Sequence, residues 1–298
     1  MSLQSLKSKL ANRQVRSALG VAILIATILL FINYGRTHPG TFSQLGQVSL
    51  GTLALVLFLY TLFVATNAVI LFINVRMCSH KISYPQGFLL TAYSTLVNFF
   101  GPLQSGPGFR AVYVKNKFGI SLKSFGIASL FYYGFYAIFS LCFLLMGFNQ
   151  TWVGLLVLVV VGTATLQFVR KRLKSPEAKA LIHPKLIAGV AIVTLIQVFL
   201  ISLIYFTELR SIDASISFKQ AVIYTGAANF GMFVSLTPGA IGIRESFLLF
   251  TERLHHIPDS TVLAASLLDR GIYFIFLGGI FALVSLFHVQ KRLSAKEK

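Results

Sequence analysis

The chain has 298 residues, 56% of them hydrophobic and 11% charged, with a mean hydropathy of +0.78. A soluble domain of this length needs a far larger charged surface, so composition excludes a water-soluble globule and points to a polytopic membrane protein. The net charge of +18 does not indicate a nucleic-acid partner: Lys and Arg sit in short clusters between apolar runs, where they set topology and meet anionic lipid headgroups.

In chain order, the first apolar run covers about 18–34. It follows a basic amphipathic start (Lys7, Lys9, Arg13, Arg16) and has no small-residue cleavage site, so it is expected to be a retained anchor. Further runs near the roughly 20 residues that cross a bilayer lie at about 47–75, 122–147, 152–169, 185–207 and 261–287. The stretches 85–117 and 218–256 are apolar but interrupted midway by Gly and Pro. Their arms are short: Pro85 to Asn98 makes about 21 Å of helix, less than the roughly 30 Å hydrocarbon core. The expected fold is therefore an all-α polytopic membrane protein with about six transmembrane helices and two re-entrant helical hairpins. Two full spans per hairpin, eight helices in all, would leave the main basic clusters on the same sides.

With the N-terminus inside, the cytoplasmic segments hold 19 of the 26 basic residues and two acids, Glu177 and Glu297. The outer segments hold Arg36, Arg210, Lys219 and Arg253 against Glu208, Asp213, Glu252 and Asp259. The positive-inside rule then places both termini in the cytoplasm of a cell-membrane (inner or plasma membrane) protein, and the cluster RKRLK at 170–174 alone would fix that orientation.

The single membrane domain repeats internally, with halves 1–148 and 149–298. ASLFYYGFYAIF from Ala128 and ASLLDRGIYFIF from Ala265 agree at seven of twelve positions at a constant offset of 137. Each hairpin also carries Asn-Phe on its first arm (Asn98-Phe99, Asn229-Phe230) and Gly-x-Arg on its return (Gly108 to Arg110, Gly242 to Arg244). The runs at 47–75 and 185–207 cross in opposite directions, so the repeat is expected to be inverted, with one hairpin entering from each side, an architecture used for alternating access.

Non-helical backbone in hydrocarbon persists only where protein or a water-filled cavity satisfies it. The expected breaks are Pro102, Gly106, Pro107 and Gly108 in the first hairpin and Pro238, Gly239 and Gly242 in the second. A helix restarting after each break would turn free N–H groups and a positive dipole end inward, with Arg110 and Arg244 one or two residues from those starts. Amides beside an Arg suit a phosphate. The candidate headgroup-binding set is Arg110, Arg244, Glu245, Asp269, Arg270, Asn98, Asn229 and Tyr273. Asp269 and Arg270 lie too deep in the last run for a rim pair. Asp269 or Glu245 is expected to neutralise one Arg and leave positive charge for the ligand. Competing structural readings are that Arg110 snorkels to the surface with Lys115 and Lys117, that Arg244 and Glu245 pair merely to tolerate burial, that the two Asn cap turns, and that Tyr136 and Tyr273 pack.

Cys78 and Cys142 imply neither disulfide nor metal. His255-His256 beside Glu252 and Asp259 is a weak metal candidate, Asn149-Gln150-Thr151 is a weak glycosylation sequon, and no nucleotide or hydrolase motif occurs. The expectation is no cofactor, no metal and no nucleic acid.

TPGAIGIRESFLL resembles the Pro-Gly-Gly-x-Gly-x-x-Glu signature of the lysylphosphatidylglycerol synthase transmembrane region family, also described as flippase-like. LLDRGIYFIFLGGIFAL is similar to that family's closing Arg-x-x-x-Tyr segment. The resemblance covers roughly 18–290 and implies Pro238, Gly239, Gly242, Glu245, Arg270 and Tyr273 as functional positions. The first hairpin departs from the family's Pro-Gly-x-x-Gly-Glu-x-x-Arg: NFFGPLQSGPGFRAV keeps the Gly and Arg110 but lacks the Glu. In members that aminoacylate lipid, the transferase is a separate cytoplasmic domain; the chain stops at Lys298 without one, so the resemblance implies translocation, not synthesis. The functional expectation is a translocase for an anionic phospholipid or polyprenyl-phosphate-linked lipid, a non-enzyme whose partners are membrane lipids. The alternatives are a membrane enzyme or accessory subunit acting on a lipid-linked substrate, beside envelope-synthesis enzymes, and a scaffold without a ligand.

Overall fold

A computed structural model describes residue 36 and residues 48–100, 105–148, 183–233 and 243–296. The runs at 18–34 and 152–169, and the expected break residues Pro102, Pro238, Gly239 and Gly242, lie outside the described residues. Within them the elements are α1 (Leu50–Met77), α2 (Tyr84–Phe100), α3 (Ser105–Phe118), α4 (Leu122–Leu145), α5 (Pro184–Ile212), α6 (Phe218–Phe233), α7 (Ile243–Phe250), α8 (Glu252–His255) and α9 (Asp259–Lys296), all helical.

Four of these are long and apolar enough to cross a membrane: α1, α4, α5 and the Asp259–Phe287 part of α9. Local chemistry sets their starts. Ser49 and Ser121 cap α1 and α4 by accepting hydrogen bonds from the Thr52 and Ser124 amides, each at 3.1 Å. Pro184 opens α5 at a position whose N–H has no helical partner anyway. Ser79, at φ 62°, turns the chain after α1. By contrast α2 has 17 residues, α3 14, α6 16 and α7 eight. Even α2 spans only about 26 Å at 1.5 Å per residue.

The core forms where α1 packs on α5. Val56 and Leu59 meet Leu200, Ile204 and Leu209 there, joined by Tyr224, Leu248 and Leu268 from α6, α7 and α9. Large apolar side chains also face outward, among them Phe58, Leu130, Ile192 and Phe281, as a lipid-facing surface requires. Small residues permit the tightest approaches. A Cβ on Gly226 of α6 would lie 2.6 Å from the Ser140 carbonyl oxygen of α4, and one on Gly106 of α3 would lie 2.6 Å from the Ser94 carbonyl oxygen of α2. Between α1, α2 and α9 runs an apolar groove of about 720 Å³, lined by Val64, Ala92, Phe276, Ile280 and Leu283.

Two sequence expectations shift. Gly106, Pro107 and Gly108 are not a break; they form the first turn of α3, where proline's missing N–H costs nothing. Arg110 therefore sits in the second turn, not beside the helix start, whereas Arg244 is the second residue of α7. In addition, α5 runs past residue 207 to Ile212, so Glu208, assigned above to an outer segment, is part of a spanning helix.

Candidate functional site: a buried ion cluster and a separate arginine

On α9, Ser266, Asp269, Arg270 and Tyr273 recur at three- and four-residue spacing and so share one helix face. Against that face α7 places Arg244 and Glu245. Arg244 Nη1 donates to Asp269 Oδ2 at 2.6 Å, and its Nη2 donates to the Ser266 hydroxyl at 2.9 Å. Nη1 also reaches the Tyr205 hydroxyl of α5 at 3.3 Å, and the guanidinium carbon stands 5.8 Å from that ring's centroid. Arg270 Nη2 donates to Glu245 Oε1 at 2.6 Å, and Ser266 donates to the same oxygen at 2.6 Å. Tyr60 of α1 donates its hydroxyl to Asp269 Oδ1. Arg244, Asp269 and Arg270 are all buried.

Arg244 and Arg270 thus each have a carboxylate oxygen at 2.6 Å, and Glu245 Oε1 also stands 3.5 Å from Arg244 Nε. One neutralised Arg beside one free for a ligand was the expected arrangement; here both are compensated, because two carboxylates lie among the two guanidinium groups. Such buried pairs contribute little net stability, yet removing one partner strands a charge.

Arg110 lies apart. Its Nε donates to the Ser94 hydroxyl of α2 at 2.6 Å, and Tyr132 and Tyr133 of α4 lie within its electrostatic reach. The ion pairs among the described residues join Arg244 to Glu245 and Asp269, and Arg270 to Glu245; none involves Arg110.

The two asparagines bond to protein. Asn98 Oδ1 accepts from the Gly106 amide at 3.2 Å and so caps α3. Asn229 accepts from the Tyr136 hydroxyl at 2.9 Å and donates to the Ser140 hydroxyl at 3.0 Å, tying α6 to α4. Tyr273 packs against the Tyr60 ring at 4.9 Å and the Phe99 ring at 5.5 Å. At the end of α8, His255 is buried, with Nε2 on the Leu248 carbonyl and Nδ1 accepting from the Ile257 amide. Both ring nitrogens are thus in use, and burial pushes its pKa down from 6.5. Among the described residues no group of three or more His, Cys, Asp or Glu could hold a metal.

Sequence reasoning missed Tyr60, Ser94, Tyr205, Glu208 and Ser266. Ser266 carried a usable signal, three residues before Asp269 on the same helical face. Tyr60 carried none, since its partner lies 209 positions away.

The sequence model of the family described as lysylphosphatidylglycerol synthase TM region matches residues 17–280. The chain belongs to this family. Searching the curated proteins gives no match. As a lysylphosphatidylglycerol synthase TM region protein, with four helices among the described residues long and apolar enough to span a bilayer, it is a membrane protein. Glu245, Arg270 and Tyr273 fall on or beside the buried ion cluster.

Proposed function

We propose that the protein is a lipid translocase for anionic lipids, phospholipid or polyprenyl-phosphate-linked, whose phosphate is taken at Arg110. The observation that carries this reading is the contrast between the arginines. Arg244 and Arg270 are cancelled by carboxylates 2.6 Å away, whereas among the described residues Arg110 is bonded to a neutral hydroxyl and joins no ion pair. A cation at membrane depth without a carboxylate is costly, and an anionic headgroup offsets that cost with charge-assisted hydrogen bonds. The α1–α2–α9 groove is apolar enough for an acyl chain.

Alternating access is supported by the repeat. Tyr136 and Tyr273, matched at the 137 offset, each reach across to the Asn-Phe arm of the other half, Tyr136 to Asn229 and Tyr273 to Phe99. The short α2–α3 and α6–α7 arms suit re-entrant hairpins, and the basic bias suits cytoplasmic termini in the cell membrane. An acid–base enzyme is less well supported, because Glu245 and Asp269 are each held by a guanidinium and a hydroxyl.

The test is leaflet exchange of labelled lipids in vesicles carrying the purified protein. Acceleration for anionic lipids, with the lipids chemically unchanged by mass spectrometry, is expected. Folded protein that accelerates none of them overturns the reading.

A further inference from the structure

Glu208 is fully buried on α5, and neither of its carboxylate oxygens has a hydrogen-bond partner among the described residues. It follows Tyr205 by three positions, so both present to the same side of the helix. That side meets the ion cluster. The charged and titratable groups in electrostatic contact with Glu208 are Tyr60 of α1, Tyr205 of its own helix, Tyr224 of α6, Arg244 of α7 and Asp269 of α9. On its own helix Arg210 turns away, exposed and over the Phe206 ring.

Arg244 and Arg270 balance Asp269 and Glu245, so an ionised Glu208 is a third carboxylate against two guanidinium groups. An unpaired carboxylate without hydrogen bonds in low dielectric is among the most costly groups a protein can bury. A single proton on an Oε atom removes that charge and leaves the cluster neutral.

We infer that Glu208 is a proton-binding site, and that its protonation is coupled to the movement of lipid. With the proton bound, Arg244 is left to Asp269, and α7 stays pinned to α9. When the proton leaves to water, the Glu208 carboxylate competes with Asp269 for Arg244 and loosens that pin. A route is at hand: Glu208 stands four residues from Ile212, about 6 Å along the axis, and Ala214 and Ser215 just beyond are exposed. The coupling rests on the translocase reading; the bound proton does not.

Two measurements on the full chain in vesicles separate them. The first is infrared difference spectroscopy against pH. A protonated-carboxyl stretch is expected in the wild type, absent in E208Q and displaced in E208D. Glu208→Gln mimics the neutral acid and is expected to fold; E208D supplies the same readout should it not. A spectrum without a band sensitive to position 208 overturns the proton site. The second is leaflet distribution of a labelled anionic lipid under a one-unit pH difference with the membrane potential clamped. For one proton per lipid, the wild type is expected to shift the distribution by up to about tenfold, and E208Q to show no shift. Exchange in the wild type that ignores the gradient overturns the coupling and leaves the translocase standing. No exchange at any pH overturns the translocase reading and the coupling with it, while the carboxyl band still decides the proton site.

Discussion

The segments around Arg110 and Arg244 use similar parts to opposite electrostatic ends. Both α3 and α7 carry an Arg after a Gly-rich approach, and they pack on α4 and α9, which share the Ala-Ser-Leu sequence. At the 137 offset, Tyr132 and Tyr133 stand where Asp269 and Arg270 stand in the second half. That exchange decides the charge state. With Asp269 opposite it, Arg244 closes a buried pair; with Tyr132 in the equivalent place, Arg110 meets no acid among the described residues. The difference teaches that one side chain at the matched position decides whether, among the described residues, an arginine is locked in a buried ion pair or held by a neutral hydroxyl.

The sharpest way to break this comparison is to unbalance the second region. Arg244→Met strands Asp269 and is expected to cost about 3–5 kcal/mol, read as loss of thermal stability in detergent. The double variant R244M/D269L is expected to recover most of it. Arg110→Met, which strands no carboxylate, is expected to leave the melting temperature nearly unchanged. An equal loss in both single variants contradicts the contrast. The close approaches come next. Gly226→Ala drives a methyl group into the α4 backbone and is expected to cost about 1–3 kcal/mol. Asn98→Ala removes the α3 cap and is expected to cost about 1 kcal/mol, with anionic-lipid binding weakened through the misplaced return arm.

The smallest effect lies outside the membrane-spanning segments. His255 must be neutral to accept from the Ile257 amide, and its pKa is lowered below 6.5 by burial. The unfolded chain therefore binds more protons than the folded one as pH falls below about 6.5, and stability declines there. His255→Gln is expected to flatten the melting temperature between pH 5 and 7; a slope unchanged from wild type counts against this assignment.

Much of the frame was legible in the sequence, because apolar length and charge placement are local properties. The runs at 47–75, 122–147, 185–207 and 261–287 correspond to α1, α4, α5 and α9, and the four charged residues of α7 and α9 do meet. Pairing was not legible. Which acid meets which arginine depends on the rotation of α7 against α9, and the Tyr60–Asp269 bond spans two halves of the chain. Glu208 was misread for a related reason: it follows the apolar run immediately, where a charge ordinarily marks the interface, and only the packing of α1, α6 and α9 around α5 reveals its burial. Arg110 was placed too near a helix start because Gly-Pro-Gly reads as a break, although a first helical turn tolerates it.

The most direct test is retention of an anionic phospholipid by purified protein, counted by native mass spectrometry for wild type and R110Q beside a zwitterionic control. A charge-assisted contact of about 1.5–3 kcal/mol corresponds to a loss of roughly ten- to a hundredfold in anionic-lipid affinity, with the zwitterionic lipid unaffected. Folded R110Q that holds the anionic lipid as tightly as the wild type would contradict a phosphate site at Arg110.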